Sequence, residues 1–307
     1  MAEGERLTDP TPLVSIITIN YNQAEVTRQF LDSARLLTHT RVEIIVVDNA
    51  SQPTLTSCID TSQYPNLTVI RSEENLGFTG GNNLGIANAN GAYFFIVNND
   101  TELNANLLTE LLKPFAVDNR IGVTCPKIRF FSNPTLVQYA GYNPINMLTG
   151  TTVPVGYKLP DDPRYDKPGP TAFAHGCAML VKRAVVEKVG RFAERFFLYY
   201  EELDWSQRIR DADFTIHYQP SAYILHKESM SVGEFSPLKT YYLTRNRILF
   251  VRRHGSPGQK LVFYVFFAVC VVPKHLATYL LTGKWEHAKA FVRGVWWNLH
   301  STSTSPV

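Results

Sequence analysis

Carboxylates that could bind a metal ion or take up a proton occur at two separate places in this sequence. Asn98, Asn99 and Asp100 directly follow the apolar segment AYFFIV at residues 92–97. Such a segment is typical of a strand buried on both faces of a sheet, and ligands of open α/β sheets bind beyond the carboxyl ends of the strands. A carboxylate there could hold a hard cation beside a phosphate, although the same three residues also suit a plain turn.

The second group of carboxylates is Glu201, Glu202 and Asp204, which follow the aromatic run FFLYY ending at Tyr200. A carboxylate among apolar neighbours can have its pKa raised, as a general base requires. Acidic residues are also favoured in a first helical turn by the helix dipole, so a purely structural role stays open. The aromatic side chains could stack on a sugar ring or belong to the core.

A histidine, His226, ends a short segment with strand character. A lone histidine is more often structural than a ligand. At the end of a strand, however, it could lie at the same edge of the sheet as the carboxylates.

The elements that would position these residues alternate between strands and helices. This alternation predicts an α/β fold with a mostly parallel, doubly wound sheet flanked by helices. A further helix is expected to begin at the acidic cluster. We predict strands over residues 13–19, 42–47, 67–70, 92–97, 122–130, 173–181, 214–218 and 222–225, and helices over 23–37, 103–115, 182–189 and 240–254.

Residues 131–170 are rich in Pro, Gly, Asn and Tyr and show no clear period. A loop of this length in a compact domain is usually functional, which predicts a substrate lid.

The glycines Gly77, Gly80, Gly81 and Gly85 precede the strand at 92–97. Their spacing does not match GxGxxG and they do not follow the first strand, which excludes NAD binding. They could let backbone approach a ligand, or let a helix pack closely on the sheet.

Charge and cysteine usage limit the class of protein. Residues 235–307 contain ten Lys and Arg against one acidic residue, a charge of +9, while the rest of the chain carries −6. A basic segment on an acidic body suggests a surface that contacts phosphates or anionic lipid, and we expect no nucleic-acid partner. The four cysteines form no CxxC pair and the N-terminus lacks an apolar signal segment, so we expect a cytoplasmic protein.

The C-terminal segment combines apolar and basic residues. Residues 261–281 are apolar apart from Pro273, Lys274 and His275, and a charged residue near the centre of a span is unfavourable. We therefore expect an interfacial helix, or a helical hairpin broken at Pro273, with Trp285, Trp296 and Trp297 reaching the membrane interface. Packing on the preceding domain or on a partner in a homo-oligomer is the alternative.

In their order along the chain, five segments resemble the family-two glycosyltransferases of the GT-A fold. These are inverting enzymes that use nucleotide-sugars, and the similarity is greatest to the bacterial rhamnosyltransferase and galactofuranosyltransferase branch. The resemblance covers about residues 13–254. The segments are VSIITINYNQ, VEIIVVDNAS, NLGFTGGNNLGI with FFIVNND, AHGCAMLVKR, and YYEELDWSQRIR with LHKESMSVG.

The resemblance implies a domain plan and a donor site. A tail at 1–12 would precede a catalytic domain at 13–234, with its nucleotide-sugar half at 13–130 and its acceptor half at 131–234. A basic helical extension at 235–307 would follow. The implied nucleotide-sugar-binding residues are Thr18, Asn20 and Tyr21 at the base and ribose, Asp48 at the base or ribose, Asn75, Gly81 and Asn82 along the diphosphate, and Asn98 and Asn99.

The resemblance also implies a metal site and a base. Asp100 matches the last acid of the DxD motif, which binds Mg²⁺ or Mn²⁺, and His226 matches a histidine that completes the metal shell. The first acid is replaced by Asn98, which removes one negative charge. The ED pair of the EDxD motif falls on Glu201 and Glu202, so Glu202 is the expected base and Glu201 the reserve.

Three further residues are expected to support the acceptor side of the site. Asp204 is the last acid of the EDxD motif, and Tyr200 and His175 lie in two of the matching segments.

The implied function is transfer of a sugar from a dTDP- or UDP-sugar to a hydroxyl of a lipid-linked or polysaccharide acceptor, in cell-surface glycan synthesis. The enzyme would work in the cytoplasm, on the inner face of the cell membrane. Two alternatives stay open: an inactive nucleotide-sugar-binding protein, which the altered DxD motif suggests, and a membrane-docking scaffold.

Overall fold

The computed structural model describes residues 11–227 and 236–302. Most of the predicted tail at 1–12 lies outside the described residues. So does the end of the LHKESMSVG segment, from residue 228 onward.

Strands and helices alternate through the first part of the chain, and helices alone follow residue 236. The strands are β1 Val14–Asn20, β2 Val42–Asn49, β3 Leu67–Ser72, β4 Tyr93–Val97, β5 Thr101–Leu103, β6 Ile121–Phe130, β7 Leu136–Tyr139, β8 Leu159–Pro160, β9 Gly169–Pro170, β10 Ala178–Lys182 and β11 Thr215–His226. The helices are α1 Ala24–Ala34, α2 Leu55–Cys58, α3 Gly77–Ala87, α4 Leu107–Val117, α5 Arg183–Val189, α6 Glu201–Asp211, α7 Pro237–His254, α8 Pro257–Phe266, α9 Val272–Leu281 and α10 Trp285–His300.

The strands form one sheet with the order β3-β2-β1-β4-β10-β6-β11-β5. Strands β3, β2, β1 and β4 are parallel to one another, β10 runs antiparallel between β4 and β6, and β6 pairs in parallel with β11. The prediction of an α/β fold with a mostly parallel sheet is confirmed. All five residues of β4 are buried, as the apolar run AYFFIV predicts.

The helix predicted over 103–115 was placed too early in the sequence. Residues Thr101–Leu103 form β5, which pairs antiparallel with β11, and the helix α4 begins only at Leu107. The Asn104 side chain accepts a hydrogen bond from the backbone N–H of Asn106 at 3.1 Å, a local turn that competes with helix formation. Pairing with a distant strand therefore overrides the local helical pattern.

The two strands predicted over 214–218 and 222–225 are one strand, β11. Its register with β6 shifts between Gln219 and Tyr223, around Pro220, so a bulge accommodates the residue that lacks a backbone N–H. The strand predicted over 173–181 is shorter than expected, because only Ala178–Lys182 pairs in the sheet.

Residues 131–170 are more ordered than a plain lid. They carry β7, β8 and β9 and are tied to the sheet by Lys127, whose side chain is almost fully buried. Lys127 Nζ donates to Asp161 at 2.8 Å and to Asp166 at 2.5 Å. The buried ammonium group, held by these two more accessible carboxylates, fixes the segment on the body of the protein.

The first C-terminal helix, α7, packs on the catalytic body. Its Leu249 and Phe250 share a buried cluster with Phe173, Phe196 and Leu203. The predicted domain boundary at residues 234 and 235 stays a prediction, because α7 contributes to the same core as the preceding elements.

The hairpin expected at Pro273 does not form. Pro257–Leu281 is one helix of 25 residues, in which a π-helical stretch, Phe267–Val271, lies between α8 and α9. Proline lacks an N–H and its ring clashes with a carbonyl of the preceding turn, and the π-helical stretch absorbs both effects. Trp297, expected at a membrane interface, instead packs over the Arg245 guanidinium, 4.7 Å from its ring centroid.

The glycines of α3 allow this helix to lie close to the sheet. A Cβ on Gly81 would lie 2.7 Å from Ile19 Cδ1, and a Cβ on Gly85 would lie 2.4 Å from Ile17 Cγ2. Both partners belong to β1. The sequence left two roles open for these glycines, approach of the backbone to a ligand and close packing of a helix on the sheet. Gly81 and Gly85 have the second role.

We expect Gly85→Ala to destabilise the protein by about 1–3 kcal/mol, because overpacking at the helix–sheet contact outweighs the better helix propensity of alanine. Thermal or urea unfolding of the purified variant measures this change. Gly258→Ala, in the first turn of α8, is the matched control, since nothing lies within 4 Å of a Cβ there. Equal stability of both variants and the wild type would contradict the packing role.

Candidate active site

One cavity of about 560 Å³ lies beyond the carboxyl ends of β1, β2 and β4. The loop before β10 and the first turn of α6 close it on the other side. Most of the sequence-predicted site residues meet here. The predicted residues that line the cavity are Tyr21, Asn75, Asn82, Asn98, Asn99, Asp100, His175, Tyr200, Glu201, Glu202 and His226.

The other predicted residues lie behind the wall of the cavity. Thr18 and Asn20 are fully buried in β1. Asn20 Nδ2 donates to Asp48 Oδ1 at 3.2 Å, and Asp48 Oδ2 accepts from the backbone N–H of Leu55 at 2.9 Å. The cavity lining therefore does not include four of the predicted residues, which support it from behind: Thr18, Asn20, Asp48 and Gly81.

Asp100 and His226 converge from two strand ends. Asp100 follows β4, His226 ends β11, and His226 Nε2 lies 3.1 Å from Asp100 Oδ1. Gln138 orients the ring, because its Oε1 accepts a hydrogen bond from His226 Nδ1 at 2.8 Å. Burial lowers the pKa of His226, but Cys177 and Asp100 outweigh this effect and hold the pKa well above its usual range.

The facing atoms of Asp100 and His226 suit a divalent cation. Both atoms are buried, and apart from the 3.1 Å contact between them neither has a hydrogen-bond partner among the described residues. Two neighbouring ligands of an octahedral ion about 2.1 Å away lie about 3 Å apart, close to the observed separation. Among the described residues, however, no group of three His, Cys, Asp or Glu side chains could hold a metal. Further ligands would have to come from a bound substrate or from water.

Glu201 and Glu202 open helix α6 on the cavity wall. One carboxylate oxygen of each, Oε2, is buried without a hydrogen-bond partner among the described residues. Burial raises the pKa of Glu202 to about 7. Burial, and then the adjacent charge of Glu202, hold the pKa of Glu201 well above its usual range. A buried carboxyl that titrates near neutral pH is suited to accept a proton.

Asp204 points away from the cavity and ties α6 to α7. Its Oδ1 accepts hydrogen bonds from Arg253 and His254 at 2.8 Å each, and its Oδ2 accepts one from Arg208 at 2.9 Å. The side chain is fully buried. Asp204 is therefore held away from any acceptor, and it anchors the helix that carries the glutamate pair.

The turn before α6 has an unusual backbone. Phe197, Tyr199 and Tyr200 all have positive φ values, 61°, 67° and 70°. Such values are uncommon for residues with a side chain and each costs roughly 1–3 kcal/mol. The buried Arg245 and Asn246 of α7 hydrogen-bond to the carbonyls of this turn. Sequence reasoning missed both residues because they lie in the segment interpreted only as a basic extension.

His175 is a half-buried, neutral side chain of the cavity wall. Burial and the neighbouring His226 lower its pKa to about 3. Its Nδ1 accepts a hydrogen bond from the backbone N–H of Cys177 at 3.1 Å, so the proton of the neutral ring is on Nε2. The ring stacks parallel to that of Tyr142, with centroids 6.0 Å apart.

Some residues of the site were not expected from the sequence. Asn49 bridges β2 to the start of α3: its Nδ2 donates to Asn75 Oδ1 at 2.9 Å and its Oδ1 accepts from the backbone N–H of Leu76. Its position next to Asp48 in the DNAS segment was the available signal. The sequence gave no signal for Gln138 and Tyr142, because they belong to residues 131–170, which show no clear period of apolar residues.

Comparisons with known proteins show the family of this chain. Residues 15–190 match the family model of glycosyl transferase family 2. The chain is 26% identical over 243 residues to an N-acetylglucosaminyl-diphospho-decaprenol L-rhamnosyltransferase of Mycobacterium tuberculosis, covering 73% of this chain and 78% of that protein. It is 23% identical over 298 residues to the low-salt glycan biosynthesis hexosyltransferase Agl10 of Haloferax volcanii, covering 95% and 93%.

The fold also recurs in a solved structure. The mannosyltransferase PcManGT from Pyrobaculum calidifontis, in complex with GDP-Man and Mn²⁺, superposes with a TM-score of 0.61 at 17% identity, over 94% of this chain and 88% of that one. At this identity the similarity concerns the fold, which is of the GT-A type. With a family model that spans more than half of its length, the chain belongs to glycosyl transferase family 2 and is a glycosyltransferase of glycan biosynthesis.

Proposed function

We propose that the protein is an inverting glycosyltransferase. It transfers a sugar from a dTDP- or UDP-sugar to a hydroxyl of a lipid-linked or polysaccharide acceptor, at the inner face of the cell membrane. The observation that carries this proposal is that one cavity brings together two sets of groups. They are the Oε2 atoms of Glu201 and Glu202, which are buried without hydrogen-bond partners among the described residues, and the facing atoms of Asp100 and His226. A relative named as a rhamnosyltransferase that acts on a diphospho-decaprenol supports the acceptor class.

The donor occupies the side of the cavity formed by the strand ends. Tyr21 is accessible at the end of β1 and can cover the nucleoside. Asn75, just before α3, and Asn82, within α3, face the diphosphate. Asn49 fixes the side chain of Asn75 and the start of α3. Asn98 and Asn99 supply amide groups beside Asp100 for the sugar or the diphosphate.

Asp100 and His226 would hold Mg²⁺ or Mn²⁺ together with the donor diphosphate. A divalent cation bound there neutralises the charge of the leaving nucleoside diphosphate. Because Asn98 replaces the first acid of the motif, this site has one negative charge fewer than a two-acid site and should bind the free cation weakly. The substrate diphosphate then supplies the missing negative charge, which makes cation and donor binding mutually dependent.

Glu202 acts as the general base, with Glu201 as the reserve. Its Oε2 takes the proton of the acceptor hydroxyl, whose oxygen forms a bond to the anomeric carbon of the donor sugar. The bond from that carbon to the diphosphate oxygen breaks on the opposite face, which inverts the configuration. The raised pKa of Glu202 makes it a stronger base than an ordinary carboxylate, able to take the proton as the new bond forms.

We expect Glu202→Gln to lower turnover by about 10²–10⁴-fold, because the amide cannot accept the proton. The same change should stabilise the fold at pH 8. A folded-state pKa raised above the usual 4.5 means that the fold binds the proton more tightly than the unfolded chain. The resulting stability is present below the unfolded pKa and is lost as the pH rises through about 7, a loss of about 3 kcal/mol that the variant avoids.

Initial rates and melting temperatures between pH 5 and pH 8.5 measure both effects. The stabilisation by Glu202→Gln should shrink as the pH falls toward 5. Glu187→Gln, at an exposed position of α5, is the control and should change neither quantity. Turnover of Glu202→Gln near the wild-type rate would exclude Glu202 as the base, and Glu201→Gln would then be tested in the same way.

We expect Asp100→Asn to abolish transfer without unfolding the protein, because the amide keeps the shape of the side chain but removes its charge. Excess EDTA should abolish the activity of the wild type. A thermal-shift measurement with UDP and Mn²⁺ gives a readout independent of turnover, since a ligand that binds only the folded state raises its melting temperature. The wild type should respond to the pair and Asp100→Asn should not.

The matched control for that change is Asp118→Asn, at a half-exposed carboxylate whose only ion pair with a described residue is to Arg120. Full transfer activity in excess EDTA would exclude the cation.

The C-terminal helices present an apolar and basic surface, which we assign to an anionic membrane. On α10 the exposed side chains Trp285, Val292, Trp296 and Leu299 share one face, beside Lys289 and Arg293. The helix Pro257–Leu281 exposes a second apolar stripe, with Leu261, Val262, Val265 and Val269 accessible. It is the one helix of the described chain that is long and apolar enough to cross a membrane. An interfacial position suits the flanking Trp, Lys and Arg better than a span.

We expect the double variant Trp296→Ser with Leu299→Ser to bind anionic vesicles at least about tenfold more weakly than the wild type, since each side chain loses roughly 1.5–3 kcal/mol of burial in the interface. Vesicle sedimentation at low and high salt measures the binding and its electrostatic part. Val117→Ser, at an exposed apolar position of α4, should bind as the wild type does. Absence of vesicle binding by the wild-type protein would contradict the membrane assignment.

A further inference from the structure

The turn that delivers the glutamate pair depends on one buried amide from α7. We propose that Asn246 is a positioning residue of the transferase, whose side chain holds residues 196–200 in the strained shape that sets Glu201 and Glu202 on the cavity wall. Asn246 is fully buried and is not among the residues that line the cavity. It therefore acts through the backbone of the turn. The inference rests on the proposed role of the glutamate pair.

Three carbonyl oxygens of the turn converge on the amide nitrogen of Asn246. Its Nδ2 lies 2.9 Å from the carbonyl oxygen of Phe196, 2.8 Å from that of Leu198 and 2.7 Å from that of Tyr199. An amide NH₂ has two hydrogens, so at least one of them is shared between two acceptors. Converging carbonyls repel one another without a donor between them, and Asn246 supplies that donor.

The turn is strained at the point where Asn246 binds it. Phe197 has φ 61° and ψ −55°, and the backbone N–H of Leu198 donates to the carbonyl of Phe196 at 2.6 Å, which is the rare γ-turn with positive φ. Tyr199 and Tyr200 then follow in left-handed conformations. Without groups that hold the turn, residues with side chains would relax from these positive φ angles to more common negative ones.

This conformation determines where the catalytic pair lies. Tyr200 has φ 70° and directly precedes Glu201, and its carbonyl accepts the first hydrogen bond of α6, from Asp204 at 2.9 Å. A change at Tyr200 therefore rotates the first helical turn as a unit. Displacing a reacting group by about 1 Å can cost 10²-fold in rate.

The amide of Asn246 is itself held in one orientation. Arg245 Nε donates to Asn246 Oδ1 at 2.9 Å, which directs the NH₂ group to the turn. Arg245 Nη2 adds bonds to the carbonyls of Arg195 and Phe196 at 2.6 and 2.8 Å. From the opposite side, the backbone N–H of Phe78 at the start of α3 donates to the carbonyl of Phe197 at 2.8 Å.

The bonds from Asn246 Nδ2 to described residues all go to the turn, and none contributes to the packing of α7 on other helices. That packing uses other residues. Arg252, for example, donates to the carbonyl of Asn298 and to Ser301 Oγ, each at 2.8 Å, and so joins α7 to α10. Loss of the Asn246 amide and loosening of α7 can therefore be separated by mutation.

The test compares Asn246→Asp, which keeps the volume but removes the donor, with Arg252→Ala as the matched control. Full-length protein is assayed for kcat, for the KM of the donor, and for binding of UDP with Mn²⁺ by calorimetry. We expect Asn246→Asp to lower kcat by about 100-fold, while KM and the affinity for UDP stay within about threefold. Arg252→Ala should lower the melting temperature but leave kcat within about threefold.

Hydrogen exchange at residues 197–204 provides a readout that does not depend on turnover. These amides should exchange faster in Asn246→Asp than in the wild type or in Arg252→Ala, under conditions where all three are folded. A kcat of Asn246→Asp within about threefold of the wild type, or unchanged exchange of the turn, would overturn the inference. If the wild-type protein transfers no sugar, the proposed function fails, and the exchange measurement still decides whether Asn246 holds the turn.

Discussion

The strain in the turn from Phe197 to Tyr200 is the constraint on which the candidate site depends. The chain reaches helix α6 through three residues with positive φ, and this path puts two adjacent glutamates at the cavity wall. The cost of these conformations is offset by the buried Arg245 and Asn246, by the N–H groups at the start of α3, and by stacking of Phe197 on Tyr242 at 5.1 Å. Elements from both ends of the chain therefore converge on one short turn. Helix α7, which provides Arg245 and Asn246, is therefore as necessary for the site as the sheet is.

The same site opposes stability in a second way. Buried polar atoms are nearly always hydrogen-bonded, yet Glu201 and Glu202 each present a buried oxygen without a hydrogen bond among the described residues, and the facing atoms of Asp100 and His226 have only their 3.1 Å contact with each other. Such atoms destabilise the free protein, so they are expected where a ligand completes the bonding. All four residues line one cavity, and such an arrangement is expected of a site that binds a charged substrate. The large buried cluster around the sheet is what allows the fold to tolerate them.

The local pattern of the sequence was sufficient for the parts of the fold that depend on it. The apolar run before Asn98 predicted β4, and the polar residues after each strand predicted which edge of the sheet carries the site. The pattern failed where distant contacts decide. Residues Thr101–Leu103 form a strand because β11 is available for pairing, and the strand β11 continues past Pro220 because a bulge absorbs it. The function of Asn246 could not be read from its neighbours either, since the groups that it binds lie about fifty positions earlier in the chain.

Contacts between residues 149–150 of the segment beside the cavity and the C-terminal helices connect the cavity to the surface that we assign to a membrane. Arg247 of α7 donates to the carbonyl of Thr149 at 2.6 Å, and the Tyr200 hydroxyl donates to the carbonyl of Gly150 at 2.7 Å. Gly150 also lies against α8, so closely that a Cβ there would be 3.0 Å from the ring of Phe263. The cavity wall, the turn before the glutamate pair and the apolar helix α8 thus form one packed unit. If α8 and α10 lie on a bilayer as we propose, this packing fixes the height of the glutamates above it. A lipid-linked acceptor presents its hydroxyl at a set height as well, so a rigid connection of this kind serves such an acceptor better than a flexible tether would.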